Sequence, residues 1–527
     1  MCATDLSRAT SDADCHGPQG PSPRECVRPG PIASGFGLVA LAFGTLLASC
    51  GRPAPQPGKI PITTSSSRAL KVYLKARNLQ ENLRVSESNE LYAKALQYDP
   101  YFALAHFGMA ASAPSATKLF SPLHRAVQLA PATSKGEMLL IQAFDAQIHG
   151  KPEEQRQLLL TLVKAYPADE RAHDALGDFY FRRQEFDQAI EEYRRATTIN
   201  PAFSPPYNYL GYSYRYLGRL KEAEQAFKEY IALLPDEPNP YDSYAELLMQ
   251  EGRFRESIAQ YEKALDVNPS FAGSFVGIGN DHIFLGEYQE ASNAFIKLRF
   301  VARNEGERRQ ATLWLAAVAI YQGRTAEALS QVENATEIAR AGDDRVAVAN
   351  DLYIMGTILL EAGRADDAQA RYEASAAMIE SAIAPPEVKA AFLRGHLYDQ
   401  ARVALSRGDV ATAASRAEEF RKQVALHELP GEIRSSHELD GLVALARGEA
   451  MKAVKELSLA GGQDPRVLYE LSQAQAAAGD AAASRATLQR VADYNSISFF
   501  YAFVRGKAIA ALGKLPVPSS PPESPRS

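Results

Sequence analysis

The chain has 527 residues, 57 basic against 63 acidic side chains and a net charge of −6. No run of Lys or Arg breaks this mild balance, and that argues against a nucleic-acid partner. Hydrophobic residues make up 46% of the chain, enough to build folded cores, yet no apolar run beyond residue 50 is long enough to cross a bilayer. The four cysteines, Cys2, Cys15, Cys26 and Cys50, all fall in the first fifty residues. Everything downstream therefore lacks a disulfide, a thiolate metal site and a thiol nucleophile.

In chain order, the first element is an apolar stretch of small residues over 32–49, preceded by Arg24 and Arg28. A basic segment followed by a short apolar one is the pattern of an export signal. It ends in Leu47, Ala48, Ser49 and Cys50, which resembles the lipoprotein signal of bacteria. That resemblance implies cleavage before Cys50 and acylation of its thiol and new amine, a membrane anchor facing the periplasm. Gly51 follows the cysteine where Asp favours inner-membrane retention in enteric bacteria, so the resemblance leans to the outer membrane. Residues 1–31 are long for a signal and carry Asp5, Asp12, Asp14 and Glu25. Two readings stay open: translation from the position of Val27, which gives a compact signal, or a genuine extension. Residues 50–67, rich in Pro, Gly and Ser, suggest a solvated tether. About 17 residues at roughly 3 Å each reach about 50 Å.

From there the chain repeats. Pro167, Pro201, Pro235 and Pro269 stand 34 residues apart. At ordinary proline usage the coincidence has a probability of about 10⁻⁴, and 34 is a helical-repeat period. Counting each unit so that its proline is position 32, the unit from Glu170 places Leu176, Gly177 and Tyr180 at 7, 8 and 11. Ala189, Tyr193 and Ala196 follow at 20, 24 and 27. The next two units align Leu210, Gly211, Tyr214, Ala223 and Phe227, then Ala245, Leu248, Tyr261 and Ala264. Tyr230 stands at position 27 where a small residue is expected. Spacings of three and four put each set on one face of a helix. Gly150, Gly218, Gly252, Gly286, Gly323 and Gly363 recur at position 15, where a left-handed residue ends the first helix.

The pattern resembles the tetratricopeptide repeat family. The resemblance implies an all-α, right-handed superhelical solenoid of antiparallel helix pairs. Strong repeats are expected over 68–303, divergent ones over 304–513, and a Pro/Ser-rich tail over 514–527. We count about twelve pairs and a closing segment, 498–512. Spacings of 40 and 45 residues downstream predict longer helices or loops there.

The family's first helices line the concave surface through positions 2, 5, 9, 12 and 13. Carried over, these are Arg171, Asp174, Asp178, Asn208, Tyr212, Arg215, Tyr216, Asp242, Glu246 and Asn280. The set is acidic and aromatic, which suits an extended basic or aromatic segment of another protein. The family's carboxylate clamp, Lys at 5 with Asn at 9, is not kept: Tyr212 follows Asn208, and Val276 precedes Asn280.

Enzymatic chemistry finds no footing. There is no phosphate loop, and Gly277-Ile278-Gly279 meets His282 in a helical context. His427-Glu428 and His437-Glu438 lack a second His four residues after the first. Ser115 and Lys118 have no companion motifs of a serine acyltransferase. His106, His173 and His282 read as packing residues on first helices. No cofactor or metal is expected, and the chain reads as a non-enzymatic scaffold. Two other readings remain open at this stage: a glycan- or peptidoglycan-binding accessory lipoprotein, and a cytoplasmic regulator.

Overall fold

The computed structural model describes residues 58–113, 116–382, 386–426, 429–462 and 464–514. The expected signal, Cys50, the motifs at 115 and 427–428, and residues 515–527 lie outside the described residues. Among the described residues the chain is helical, without strands, and its helices stack in twelve consecutive pairs. The first three are α1 (Ser67–Glu81) with α2 (Val85–Tyr98), α3 (Ala103–Ala111) with α4 (Ala116–Leu129), and α5 (Lys135–Ile148) with α6 (Pro152–Ala165). The regular repeats follow: α7 (Glu170–Arg182) with α8 (Phe186–Ile199), α9 (Pro205–Tyr216) with α10 (Leu220–Leu233), α11 (Pro238–Gln250) with α12 (Phe254–Val267), and α13 (Ala272–Phe284) with α14 (Tyr288–Val301). Then come α15 (Glu305–Tyr321) with α16 (Thr325–Ala341), α17 (Arg345–Glu361) with α18 (Ala365–Ser381), and α19 (Pro386–Ser406) with α20 (Val410–Val424). The series ends with α21 (Pro430–Ala446) and α22 (Ala450–Leu459), α23 (Pro465–Ala477) and α24 (Ala481–Ala492), a 3₁₀ turn (Phe499–Phe503) and α25 (Arg505–Lys514).

The wider spacing after residue 303 is taken up by helix length. Helices α15 to α18 have 17 residues each and α19 has 21, against 12–14 in α7 to α14.

Three recurring devices produce the pairs. The position-15 glycines named above all have φ between 65° and 79°, the left-handed residue that stops a first helix. Leu83 and Gln184 take the same backbone without glycine, at φ 61° and 62°. The aromatic at position 24 lies over a glycine that leaves room for its ring. A Cβ added at Gly177 would stand 2.6 Å from Tyr193, and one at Gly211 2.5 Å from Phe227. Gly108 and Gly277 do the same for Tyr92 and Tyr261 of the preceding pair, so position 6 serves as well as position 8. The third device is a bond across the loop between pairs. Tyr207 and Tyr241, at position 4, donate to the carbonyls of Pro201 and Pro235 at 3.1 and 3.0 Å. His106 and His173 make the same bond from Nε2 to Pro100 and Pro167, at 3.0 and 3.1 Å. This bond and the 2.6 Å contact from His173 Nδ1 to Glu192 give that buried histidine a structural role. Tyr230 is accommodated at position 27 with its hydroxyl accepting from Asn239 at 3.3 Å.

First helices pack on neighbouring first helices, as in α7 on α9, α11 on α13 and α19 on α21, while contacts between second helices are weaker. That asymmetry curves the stack and puts the first helices inside. The curvature brings distant pairs together: Arg171 of α7 forms a bidentate pair with Glu81 of α1, at 2.7 and 3.0 Å.

Both ends of the described chain are tied down. Residues 59–65, within the stretch expected as a free tether, lie along the starts of three first helices. Ser65 N donates to Asp99 at 3.0 Å, Thr63 N to Glu137 at 2.8 Å and Ile60 N to Asp169 at 2.8 Å. Lys59 pairs with Glu170 beyond them. Glu137, in the first turn of α5, and Asp169, the N-cap of α7, sit where helix N-termini favour negative charge, while Asp99 is the C-cap of α2 in the loop before α3. At the other end, the 3₁₀ turn packs on α15 and α23, and α25 packs on α24. Tyr501, Phe503 and Val504 join the largest core cluster, which also holds Phe284, Trp314, Val318 and Ile358.

Candidate partner-binding groove

The concave face of α7, α9 and α11 is built from the positions the repeat assigns to it. Arg171, anchored by Glu81 and by Glu170 at 2.6 Å, lies 4.8 Å from the ring centre of Phe203. One turn on, Asp174 faces the same bore. Its Oδ1 is buried with no hydrogen-bond partner, and burial together with the charges of Asp178 and Glu81 pushes its carboxyl well up. Burial raises Asp178 too, although it accepts from Tyr193 at 2.8 Å. Two carboxyls four residues apart in a narrow groove resist ionising together.

On the next two first helices the groove becomes aromatic and cationic. Arg215 reaches across from α9 to Glu246 of α11 at 3.2 Å. It lies 4.7 Å above Tyr212 and 5.2 Å from the ring centre of Tyr216, and its buried Nε has no hydrogen-bond partner. Tyr212 donates to Ser243 at 3.2 Å. Tyr216 is 38% exposed, and its ring is braced by Phe186, stacked at 4.9 Å, and by the Arg215 guanidinium.

Three expected groove residues turn away from solvent. Asn208 is buried, and its Oδ1 has no partner. Asp242 is buried and accepts from Ser274 of α13 at 2.8 Å, a tie between pairs. Asn280 is fully buried and donates to Val276 O on its own helix at 2.9 Å. The physical reason is curvature: position 5 or 9 faces inward in every pair, but neighbouring first helices close over a short side chain and leave long ones reaching out. Sequence reasoning missed Glu81, Phe203 and Phe186. Phe186 and Phe203 are not groove positions of their own unit, and Glu81, position 13 of the unit that closes at Pro100, is brought in from three pairs away by the bend of the stack.

The face does not run open along the whole stack. Past α11 it is covered by the C-terminal segment. Phe284 of α13 meets the ring of Tyr501 at 5.8 Å, and Tyr353 of α17 meets that of Phe500 at 6.2 Å. Behind it, Arg402 of α19 binds Glu438 of α21 at 2.9 Å and Glu470 of α23 at 3.2 Å. Burial and the charge of Glu438 push Glu470 up to about 8. Among the described residues no helix is long and apolar enough to cross a membrane, and no three His, Cys, Asp or Glu side chains could hold a metal ion.

Helical hairpins stacked with their first helices inside define an α-solenoid, the class of repeat protein whose surface is one long curved face. Part of this stack matches models of the tetratricopeptide repeat. That family matches residues 205–237, 239–271, 307–381 and 465–490, and a TPR repeat matches 177–215. Among relatives, the human protein O-mannosyl-transferase TMTC3 is 24% identical over 196 residues, 34% of this chain and 21% of that protein. The TPR repeat-containing protein YpiA of Bacillus subtilis is 28% identical over 172 residues, 29% of this chain and 40% of that one. The chain thus spans about a fifth of the transferase and two fifths of YpiA. A tetratricopeptide repeat protein of Parabacteroides merdae is similar in structure at 17% identity, covering 50% of this chain and 99% of that one with a TM-score of 0.36. A MamA protein covers 34% of this chain and 94% of its own at 20% identity and a TM-score of 0.28.

Proposed function

We propose that this chain is a non-enzymatic scaffold that holds other proteins near a membrane of the bacterial envelope, anchored by lipid on Cys50. The observation that carries the scaffold reading is the groove of α7, α9 and α11. It offers protonatable carboxyls at Asp174 and Asp178, a cation at Arg215 and a part-exposed tyrosine at Tyr216. An extended segment with a basic side chain and an aromatic one meets all three. A Lys or Arg entering beside Asp174 restores the charge that burial suppresses, and an aromatic ring packs against the exposed part of Tyr216. The anchor reading rests on residues 32–50, and the lean to the outer membrane on Gly51.

The test is in-cell cross-linking of the tagged chain, with the captured proteins read by mass spectrometry. A few envelope proteins are expected at high yield from the wild type, and at least fivefold less from Tyr216→Ala combined with Asp174→Asn. Equal recovery from that variant moves the site off the groove, and recovery of cell-wall glycan in place of protein refutes the protein-binding reading. Cys50→Ser is expected to abolish labelling by a fatty-acid probe. Unchanged labelling removes the lipid anchor.

A further inference from the structure

The C-terminal segment meets the solenoid as a ligand would. Residues 494–508 cluster Tyr494, Phe499, Phe500, Tyr501 and Phe503, followed by Arg505 and Lys507. The segment crosses first helices of several pairs. Tyr501 lies against Phe284 of α13, and the Arg505 guanidinium stands 5.1 Å from the same ring centre. Phe500 fits between Tyr353 of α17 and Arg466 of α23, the latter 5.7 Å from its ring centre. Lys507 closes the contact with a 2.6 Å bond to Glu361, 146 residues away.

The helix of the segment packs on α24 as neighbouring helices of the array do, and the aromatic residues before it reach across the stack. The backbone bonds of the segment run within it, Tyr501 N to Ser498 O, Val504 N to Tyr501 O and Ala508 N to Val504 O, and back to α24 through Tyr494 N to Val491 O. The Tyr501 hydroxyl donates back to Val491 and Ala492 of α24. Among the described residues no backbone hydrogen bond joins it to α13, α15 or α17. It adheres by aromatic faces and two cations, the chemistry of a peptide in a groove. The fit is also incomplete. Tyr321 of α15 packs against the same cluster with its hydroxyl buried and unbonded, and the buried Nε of Arg505 has no partner. A segment that satisfied the Tyr321 hydroxyl and brought a better-placed cation would bind better, since a buried polar group without a partner is costly.

We infer that the inner face of α13, α15 and α17 is a recognition surface for a short segment of clustered aromatic side chains followed by a cation. Residues 494–508 are its resident occupant, and a partner segment of that chemistry displaces them. The inference rests on reading the concave face as a peptide-binding surface. It needs neither the lipid anchor nor the open groove of α7, α9 and α11, and it lengthens the usable surface only when the occupant leaves.

The experiment uses the full chain with a specific protease site inserted after Asp493, an exposed turn residue. The folded protein is cut and mixed with a fluorescent synthetic peptide of residues 494–514, and exchange is followed by anisotropy. Saturable uptake is expected. A peptide carrying Phe500→Ala and Tyr501→Ala should compete at least tenfold more weakly, and one carrying Lys507→Glu several-fold more weakly. A cut protein that keeps its helical signal and never exchanges overturns the inference, as does one that loses its helical signal on cutting. If the insertion itself prevents folding, the uncut chain with Arg505→Glu and Lys507→Glu replaces it. Faster hydrogen exchange over 494–508 with uptake of the wild-type peptide is then expected, and no uptake overturns the inference. Failure here with intact cross-linking at Tyr216 would leave the proposed scaffold function standing.

Discussion

Asp281 should make the repeat array less stable as pH rises. This α13 residue is fully buried, and neither carboxylate oxygen has a hydrogen-bond partner. The Ser257 hydroxyl nearby donates to Ala245 O instead, at 2.8 Å. Burial pushes the carboxyl from its ordinary 3.8 up to about 8, with Ser257 opposing weakly. Below pH ~4 both the folded and unfolded chains hold this proton, and the site carries no charge penalty. Between pH ~4 and ~8 the unfolded chain ionises while the folded one does not, so stability falls by about 1.4 kcal/mol per pH unit. Above that the loss is constant. Four units set a ceiling of about 6 kcal/mol. A local opening of α13 that admits water caps the loss at the cost of that opening, so a few kcal/mol are expected. Asp281→Asn removes the titration while keeping the shape. Urea melts of both proteins at pH 5, 7 and 9 should show the variant gaining on the wild type at each step. Parallel curves, with a gap independent of pH, would refute the assignment of a neutral buried carboxyl.

Two further outcomes follow from packing and from the N-terminal strap. Gly177→Val places a Cβ against the ring of Tyr193 and should cost about 1–3 kcal/mol of stability. Tyr193→Leu in the same chain should return part of that, and an additive double mutant would show that the two residues do not meet. Glu137 accepts from Thr63 through N and Oγ1, at 2.8 and 2.5 Å, and completes a capping box with Ser134. Glu137→Ala should therefore lower stability by about 1.5–3 kcal/mol and speed hydrogen exchange at Thr63 and Ser65. Unchanged exchange there would mean the strap is held without this carboxylate.

The pairs were legible because a solenoid is close to one-dimensional: each repeat answers to its neighbours, so its requirements recur at a fixed interval. Proline at 32, glycine at 15 and the aromatic at 24 are such requirements, and the structure places each where the spacing put it. The position-4 bond was equally periodic but hidden by chemistry. His106, His173, Tyr207 and Tyr241 do one job, donating to a proline carbonyl, with two different side chains. A search for identical letters passes over it.

What periodicity cannot carry is contact between distant repeats, and the groove depends on such contacts. Arg171 looked like a free concave cation until the bend of the stack set Glu81 against it, 90 residues away. Asp242 looked like an exposed acid until Ser274 closed on it. The terminal segments make the same point from outside the rhythm. Residues 59–65 and 494–508 belong to no unit, so their composition read as a tether and a closing segment. Yet the first satisfies carboxylates where three successive pairs begin, and the second covers inner helices of several pairs. An array of nearest neighbours gains little by lengthening, since each added pair brings only one more interface. A segment that spans several pairs couples them, so that bending the stack must break the segment's contacts as well. The curvature of this solenoid is accordingly constrained at its two ends as well as by its repeats, and the groove of α7, α9 and α11 lies between the strap that holds the start of α7 and the segment that begins beside the end of α11.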